Sequence, residues 1–181
     1  MLQTKMDQNF FISAEDFVPS GLAGIDREPF ELFLILEARL LDLRKFWDWK
    51  NLYTEEGVYW VPASPNQKDP YKEASLFFDD APVMITRFVW LEQPRIQIKT
   101  PPSRSVHMVS NVIVETADNE AGEYLISSTM SMTEYRQDTQ RIFSGYQFHR
   151  LVKTKDSFQI RLKQVNLVNC DSAFEAMAVP I

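Results

Sequence analysis

A chain of 181 residues with 45% apolar and 13% aromatic residues, five glycines and a net charge of −6 is long and apolar enough for one domain with its own core. That balance excludes disorder, and the lack of clustered Lys and Arg excludes a broad nucleic-acid-binding surface. No apolar run of roughly 18 residues offers a membrane span, the opening MLQTKMDQNFFISAEDF lacks a signal-peptide core, and the lone Cys170 precludes an internal disulfide, so a soluble cytoplasmic protein is expected.

Residues 1–27 read as an N-terminal arm and 28–181 as one α+β domain. The arm ends in Gly21, Gly24 and Asp26, and its Phe10-Phe11-Ile12 cluster is too apolar for a solvated tail and is expected to dock. From Glu28, Leu32, Leu36, Leu40, Leu43 and Trp47 recur at spacings of three and four, with Phe30 and Phe33 widening the stripe. This predicts an amphipathic helix, and Pro29 suits its first turn. A short second helical turn is predicted around Asp48 to Tyr53, ahead of Gly57.

The period then falls to two. Val58 to Val61 reads as a strand stopped by Pro62, and 62–74, with Pro62, Pro65 and Pro70, reads as a loop. Further strands are predicted near 75–78, 82–91, 105–115, 123–136, 141–152 and 157–168. Tyr124, Ile126, Met130 and Met132 alternate with Ser127, Thr129, Ser131 and Thr133, and Phe158, Ile160 and Leu162 with Gln159, Arg161 and Lys163. Each pattern predicts a strand with one buried face. Short turns at 118–122 and 153–156 predict hairpins, giving one curved, mainly antiparallel sheet with N-terminal helices packed on one face.

The chemistry is bounded by what is scarce. A Rieske cluster needs two cysteines and two histidines, and a mononuclear non-haem iron site needs two histidines and a carboxylate. With one cysteine and only His107 and His149, the chain cannot form the first, and the second would consume both histidines without any supporting spacing motif. His107 is expected to share a strand face with Val109, Asn111 and Ile113, and His149 with Gln147 and Leu151. The expected role of each is a hydrogen bond inside the sheet or a place at an interface; the competing reading is a general acid/base in a pocket between sheet and helix. Cys170 reads as an inert buried thiol, Asp79-Asp80 as a strand-end or turn feature, and Glu55-Glu56 as a solvated turn. Zinc spacings, glycine-rich phosphate loops and nucleophile elbows are absent from the sequence.

Several segments together resemble the small (beta) subunits of Rieske-type aromatic-ring-hydroxylating dioxygenases. They are Phe33-Leu-Ile-Leu-Glu-Ala-Arg-Leu-Leu-Asp42, Trp49 with Leu52-Tyr53, Tyr59-Trp60-Val61-Pro62, and Phe78-Asp79-Asp80 with Arg87, which looks like that family's next strand. The most specific is Pro101-Pro102-Ser103-Arg104-Ser105 followed by Val109-Ser110-Asn111-Val112, similar to the family's Pro-Pro-Ser-Arg-Thr and Ser-Asn-Val signature. With Glu134-Tyr135-Arg136 and Gly145, the likeness covers about residues 30 to 168. Ser105 stands where threonine is usual, His107 where arginine is commoner, and Tyr146-Gln147 where arginines often follow the glycine; these departures bear on inter-subunit salt bridges rather than on the fold. The tail Val165 to Asp171 looks closer to the benzoate and toluate branch than to the naphthalene branch.

The resemblance implies the cone-shaped, cystatin-like fold shared with ketosteroid isomerase, scytalone dehydratase and polyketide cyclases. It implies a non-catalytic assembly subunit, trimeric beneath three large (alpha) subunits that hold the Rieske cluster, the mononuclear iron and the aromatic substrate. Arg104, His107, Asn111 and His149 become family-motif or interface candidates, and no cofactor is expected in this chain. The apolar N-terminal arm and the C-terminal Ala176-Met-Ala-Val-Pro-Ile181 are expected at subunit contacts. The alternative is a free-standing dehydratase or isomerase on the same cone, using His107 or His149, and a homo-oligomeric ligand-binding protein is a third reading. Convergent polar groups inside the cone would favour the enzyme, and no His–Asp pairing is legible in the sequence.

Overall fold

Pro29 and the acidic first turn of Glu28 and Glu31 begin helix α1 (Glu28–Asp42), which is followed by the short α2 (Phe46–Lys50). The computed structural model describes residues 10–13, 17–21, 24–92, 102–174, 177 and 179–181. After the helices come β1 (Tyr53–Pro62), β2 (Ser75–Asp79), a third helix α3 (Ala81–Glu92), then β3 (Arg104–Asp118), β4 (Glu123–Arg136), β5 (Thr139–Lys153) and β6 (Phe158–Leu167). The six strands form one sheet in the order β2-β1-β6-β5-β4-β3. Every pairing is antiparallel except β1 with β6. The helices cover one face, so the α+β expectation with helices on one side of a mainly antiparallel sheet is met.

Four expectations are corrected. Helix α1 turns Phe30, Phe33, Leu34, Glu37, Ala38 and Leu41 inward, whereas Leu32 and Leu43 are 59% and 61% exposed and Leu36 and Trp47 also face out. Two stripes of helical period are interleaved in this segment, and the core takes the one richer in aromatic area. Leu34 and Leu41, both fully buried, contribute about 1.5–3 kcal/mol each.

The predicted strand at 82–91 is α3 instead. Asp80 caps it, its Oδ1 accepting the Val83 N–H at 3.0 Å, while Met84 and Phe88, one helical turn apart, are buried. A cap and an i, i+4 pair outweigh the β-branched content.

Two β-bulges shift the alternation. In β3 the register slips between Ser110 and Ile113 where Asn111 adopts φ +54°, so His107 and Val109 point toward the helices but Val112 and Val114 follow them, and Ile113 turns out. In the β5–β6 pairing, Leu151 opposes Ile160 and Arg150 opposes Leu162, which leaves Arg161 as the extra residue. Ile160 therefore lies in the main core, Leu162 packs on the other face with Val58, Trp60 and Phe10, and Lys163 is turned inward. The alternation along β4 is as expected: Tyr124, Ile126, Met130 and Met132 are all core residues.

Both described termini pack on the chain's own sheet. Arg150 Nε donates to the Phe10 carbonyl at 2.9 Å, the Ile12 N–H donates to Gln164 Oε1 at 2.9 Å, and the Ser20 and Gly21 amides donate to the Glu115 carboxylate. At the other end Ile181 is fully buried and its N–H donates to the Tyr59 hydroxyl at 3.0 Å. The expected apolar docking of Phe10 and Ile12 is thus onto the outer face of the sheet. Gly145, one of the motif residues, sits where β6 crosses so closely that a Cβ would lie 2.2 Å from the Asn166 carbonyl oxygen. Among the described residues no helix is long and apolar enough to cross a membrane.

Candidate functional site

The inward face of α1 carries one charge, Glu37, at the centre of an otherwise apolar stripe. The bulge at Arg161 brings Lys163 to the same interior, β5 supplies His149, and α2 supplies Trp49. Glu37 Oε1 accepts from Trp49 Nε1 at 3.0 Å and pairs with Lys163 Nζ at 2.9 Å. Its Oε2 lies 3.0 Å from His149 Nε2, which fixes the proton of that nitrogen on the side of the carboxylate. The three charged or titratable residues are 2%, 1% and 0% exposed for Glu37, Lys163 and His149. Lys163 Nζ also stands 5.6 Å from the ring centre of Trp49 and 5.9 Å from that of Tyr59.

Burial alone pushes the Glu37 carboxyl up, but Lys163 and His149 together outweigh it and hold the group far below the usual carboxylate range. The neighbouring Tyr53 hydroxyl, buried and facing the charge of Glu37, is pushed well above its ordinary value. Tyr59 moves the same way for the same first reason, burial, and it is occupied by the C-terminal Ile181. His149 Nδ1 and the Tyr53 hydroxyl have no hydrogen-bond partner.

His107 forms a second pairing. At the end of α1 the Asp42 carboxylate accepts from the His107 ring Nδ1 at 2.6 Å, the His107 backbone N–H at 3.0 Å and the Ser105 hydroxyl at 3.2 Å. Each histidine is thus held by a carboxylate from α1. Both partners lie in the resemblance segment Phe33 to Asp42, but neither was singled out there as a site residue. The available signal was Glu37 lying three and four residues from Leu34, Phe33 and Leu41, the wrong face for a solvated charge.

The other motif residues serve the strand frame. Asn111 occupies the bulge and donates from Nδ2 to Thr129 Oγ1 at 3.0 Å; asparagine tolerates its positive φ. Arg104 is exposed and stacks 4.8 Å over the Tyr135 ring. Pro101 of the same motif lies outside the described residues. Asp79 and Asp80 divide as strand-end residues do: Asp79 takes a bidentate bond from Arg87 and Asp80 caps α3. Burial pushes the Cys170 thiol up, away from nucleophilic character.

The two histidines do not converge on a shared metal. His107 opposes Met132 and His149 opposes Ile126, six residues apart along β4, which is roughly 20 Å of strand. Among the described residues no group of three His, Cys, Asp or Glu is placed to hold an ion. The surface depressions lined by Phe10, Glu123, Arg150 and Arg161, and by Phe11, Phe17 and Glu115, lie away from both histidines. What the interior arrangement does is neutralise charge inside a filled core. It offers His149 no exposed path to a reacting molecule.

Comparison with known proteins gives this architecture a context. The family model described as ring hydroxylating beta subunit matches residues 36–172. The 2-halobenzoate 1,2-dioxygenase small subunit of Burkholderia cepacia is 31% identical over 143 residues, covering 76% of this chain and 85% of that protein. The crystal structure of the beta subunit of benzoate 1,2-dioxygenase from Burkholderia mallei superposes with a TM-score of 0.67 at 25% identity, over 82% of this chain and 94% of that one. A Novosphingobium aromaticivorans protein described as a scytalone dehydratase shares the fold, with a TM-score of 0.58 at 14% identity over 82% of this chain and 89% of the other.

Proposed function

The chain belongs to the ring hydroxylating beta subunit family, and on that premise we propose that it is the non-catalytic small subunit of the oxygenase component of an aromatic-ring-hydroxylating dioxygenase. The family match across residues 36–172 carries this reading. Carboxylate–histidine pairs do converge inside the cone, the feature expected to favour the enzyme, but both imidazoles are closed off from solvent. The partner is a large subunit that holds the Rieske cluster, the mononuclear iron and the aromatic substrate. Within that reading the small subunits form a trimer inside a hexamer of three large and three small chains, in the cytoplasm. Large outward apolar side chains on α1 and α3, including Leu32, Leu43, Val89 and Trp90, are the kind of surface a permanent assembly covers. A dehydratase or isomerase on the same cone would need an acid/base within reach of its substrate. The burial of both imidazoles counts against it.

Co-expression with a large-subunit gene of the same organism tests the proposal. A stable complex is expected, with all iron and acid-labile sulfide in the large chain on separation. Failure to associate, combined with ligand turnover by this chain alone, would reverse the reading. Within the complex, His149→Ala is expected to lower the stability of this subunit by about 2 kcal/mol, since it opens a cavity and removes one Glu37 partner. Turnover per intact complex should change by less than about twofold, equivalent to ~0.4 kcal/mol. A loss of roughly tenfold or more in intact complexes would assign the histidine to the reaction instead.

A further inference from the structure

On the outer face of the sheet, Trp60, Gln164 and Phe148 stand in one row across β1, β6 and β5. All three are buried, and a fully buried amide between two aromatic rings is costly unless a polar group faces it. Ile12 supplies that group. Gln164 Oε1 accepts from the Ile12 N–H at 2.9 Å, and Gln164 Nε2 donates to the Ile12 carbonyl at 2.5 Å. One side-chain amide thus meets both backbone groups of one residue, as the opposite residue of an antiparallel strand would. Among the described residues, its other partner is Asn166 Oδ1, 3.0 Å from Nε2.

Apolar patches flank the amide. Phe10 packs with Val58, Trp60 and Leu162, and Ile12 with Leu125 and Phe148, which leaves each only 8% exposed. Phe11, between them in sequence, meets the Trp60 and Phe78 rings edge-on at 4.8 and 6.1 Å. Arg150 Nε donates to the Phe10 carbonyl at 2.9 Å, and the Arg150 and Arg161 guanidinium groups lie 5.9 and 6.0 Å from the Phe10 ring centre. Among the described residues no backbone–backbone hydrogen bond ties 10–12 to the sheet, so side chains alone hold this segment.

We infer that this patch is a binding site for a short apolar peptide, that Gln164 reads the peptide backbone, and that Phe10-Phe11-Ile12 fills the site in cis. The two flanking patches set the specificity: bulky apolar side chains two residues apart. The second of those residues must also offer both an N–H and a C=O to the amide, which excludes proline there. The arm is then a latch closed on its own subunit.

The test vacates the site in the full chain with the triple variant Phe10→Ser, Phe11→Ser and Ile12→Ser, and adds the end-capped peptide Asn-Phe-Phe-Ile-Ser of residues 9–13. A tethered segment meets its site at roughly millimolar effective concentration, so a latch about nine-tenths closed needs a free-peptide dissociation constant of about 0.1 mM. Calorimetry should show binding of that order to the triple variant. Binding to the wild type, whose own segment competes, should be roughly tenfold weaker, and adding Gln164→Leu to the triple variant should weaken it to a similar degree. No binding to the triple variant, equal binding to the wild type, or indifference to Gln164→Leu would each overturn the assignment. Amide exchange in the chain with its own segment intact gives a second measurement. The Ile12 N–H should be protected roughly tenfold or more at every protein concentration, and should lose that protection in Gln164→Leu while Ile126 in β4 keeps its own. An unprotected Ile12 would sink the inference. So would protection that rises with concentration, which would give the segment to a neighbouring copy, or a joint loss at Ile126, which would make Gln164 a core residue only.

Discussion

Glu37→Gln is expected to destabilise the subunit by about 3–5 kcal/mol, because it removes the one charge that, among the described residues, pairs with the buried ammonium of Lys163. Lys163 is 1% exposed, and its partners are Glu37 at 2.9 Å and the faces of Trp49 and Tyr59. Glutamine can still accept from Trp49 Nε1, so the variant preserves shape and one hydrogen bond while cancelling the charge. The ring faces contribute about 2 kcal/mol when desolvated but leave the ammonium charge without a counter-ion. Since a domain is stable by only about 5–15 kcal/mol in total, accumulation of the variant should fall sharply. Urea unfolding of the purified chain measures the effect, and a loss under about 1 kcal/mol would refute the argument.

The double variant Glu37→Leu with Lys163→Met should recover most of that loss, since replacing both charges by apolar groups removes the desolvation cost of each. The pH dependence has a definite sign. The folded Glu37 carboxyl lies below its unfolded value, so below about pH 5 the unfolded chain binds more protons and stability rises with pH. The contribution of Glu37 is complete above the unfolded pKa of roughly 4.3 and is lost as pH falls from there toward the folded value. In Glu37→Gln the slope of stability against pH over this acid range should be shallower than in the wild type.

Much of the frame was legible because it follows simple periods. Along β4 the alternation of Tyr124, Ile126, Met130 and Met132 with small polar residues fixes which face is buried, and the short turns at 118–122 and 153–156 fix the β3–β4 and β5–β6 hairpins. What sequence alone did not show arose wherever a local device broke the period. The extra residue at Arg161 sends Leu162 outward and Lys163 inward, and nothing in the local sequence marks a bulge there. The ion cluster was hidden for the same reason, since its lysine arrives by a bulge and its carboxylate sits on a helix with two competing apolar stripes. Of the histidines, their scarcity was readable and their partners were not. A pairing such as Asp42 with His107, 65 positions apart in the chain, exists only through the packing of α1 on β3.

Arg87→Ala should cost about 3–5 kcal/mol, for it strands a carboxylate in the core and loosens the one helix whose sequence reads as a strand. Arg87 Nε and Nη2 bind the two oxygens of Asp79 at 2.6 and 2.8 Å, and the Asp79 side chain is only 3% exposed. The same guanidinium lies 4.5 Å over the Phe77 ring, so its planar head closes the end of β2 as well as pairing the charge. Burial would pull the Arg87 guanidinium down, but the hydrogen bonds and charge of Asp79 more than offset this and leave it raised. Val83, Ile85, Thr86, Val89 and Trp90 all favour strand, and their helical state relies on Asp80 at the start, Met84 and Phe88 beneath, and this tether. Truncation of Arg87 should therefore lower helical content as well as stability. Arg87→Lys should recover less than half of the loss, because an ammonium cannot span both Asp79 oxygens. Circular dichroism with urea titration of the three proteins is sufficient; a lysine variant as stable as wild type would show that charge alone, without the fork geometry, holds α3 to the end of β2.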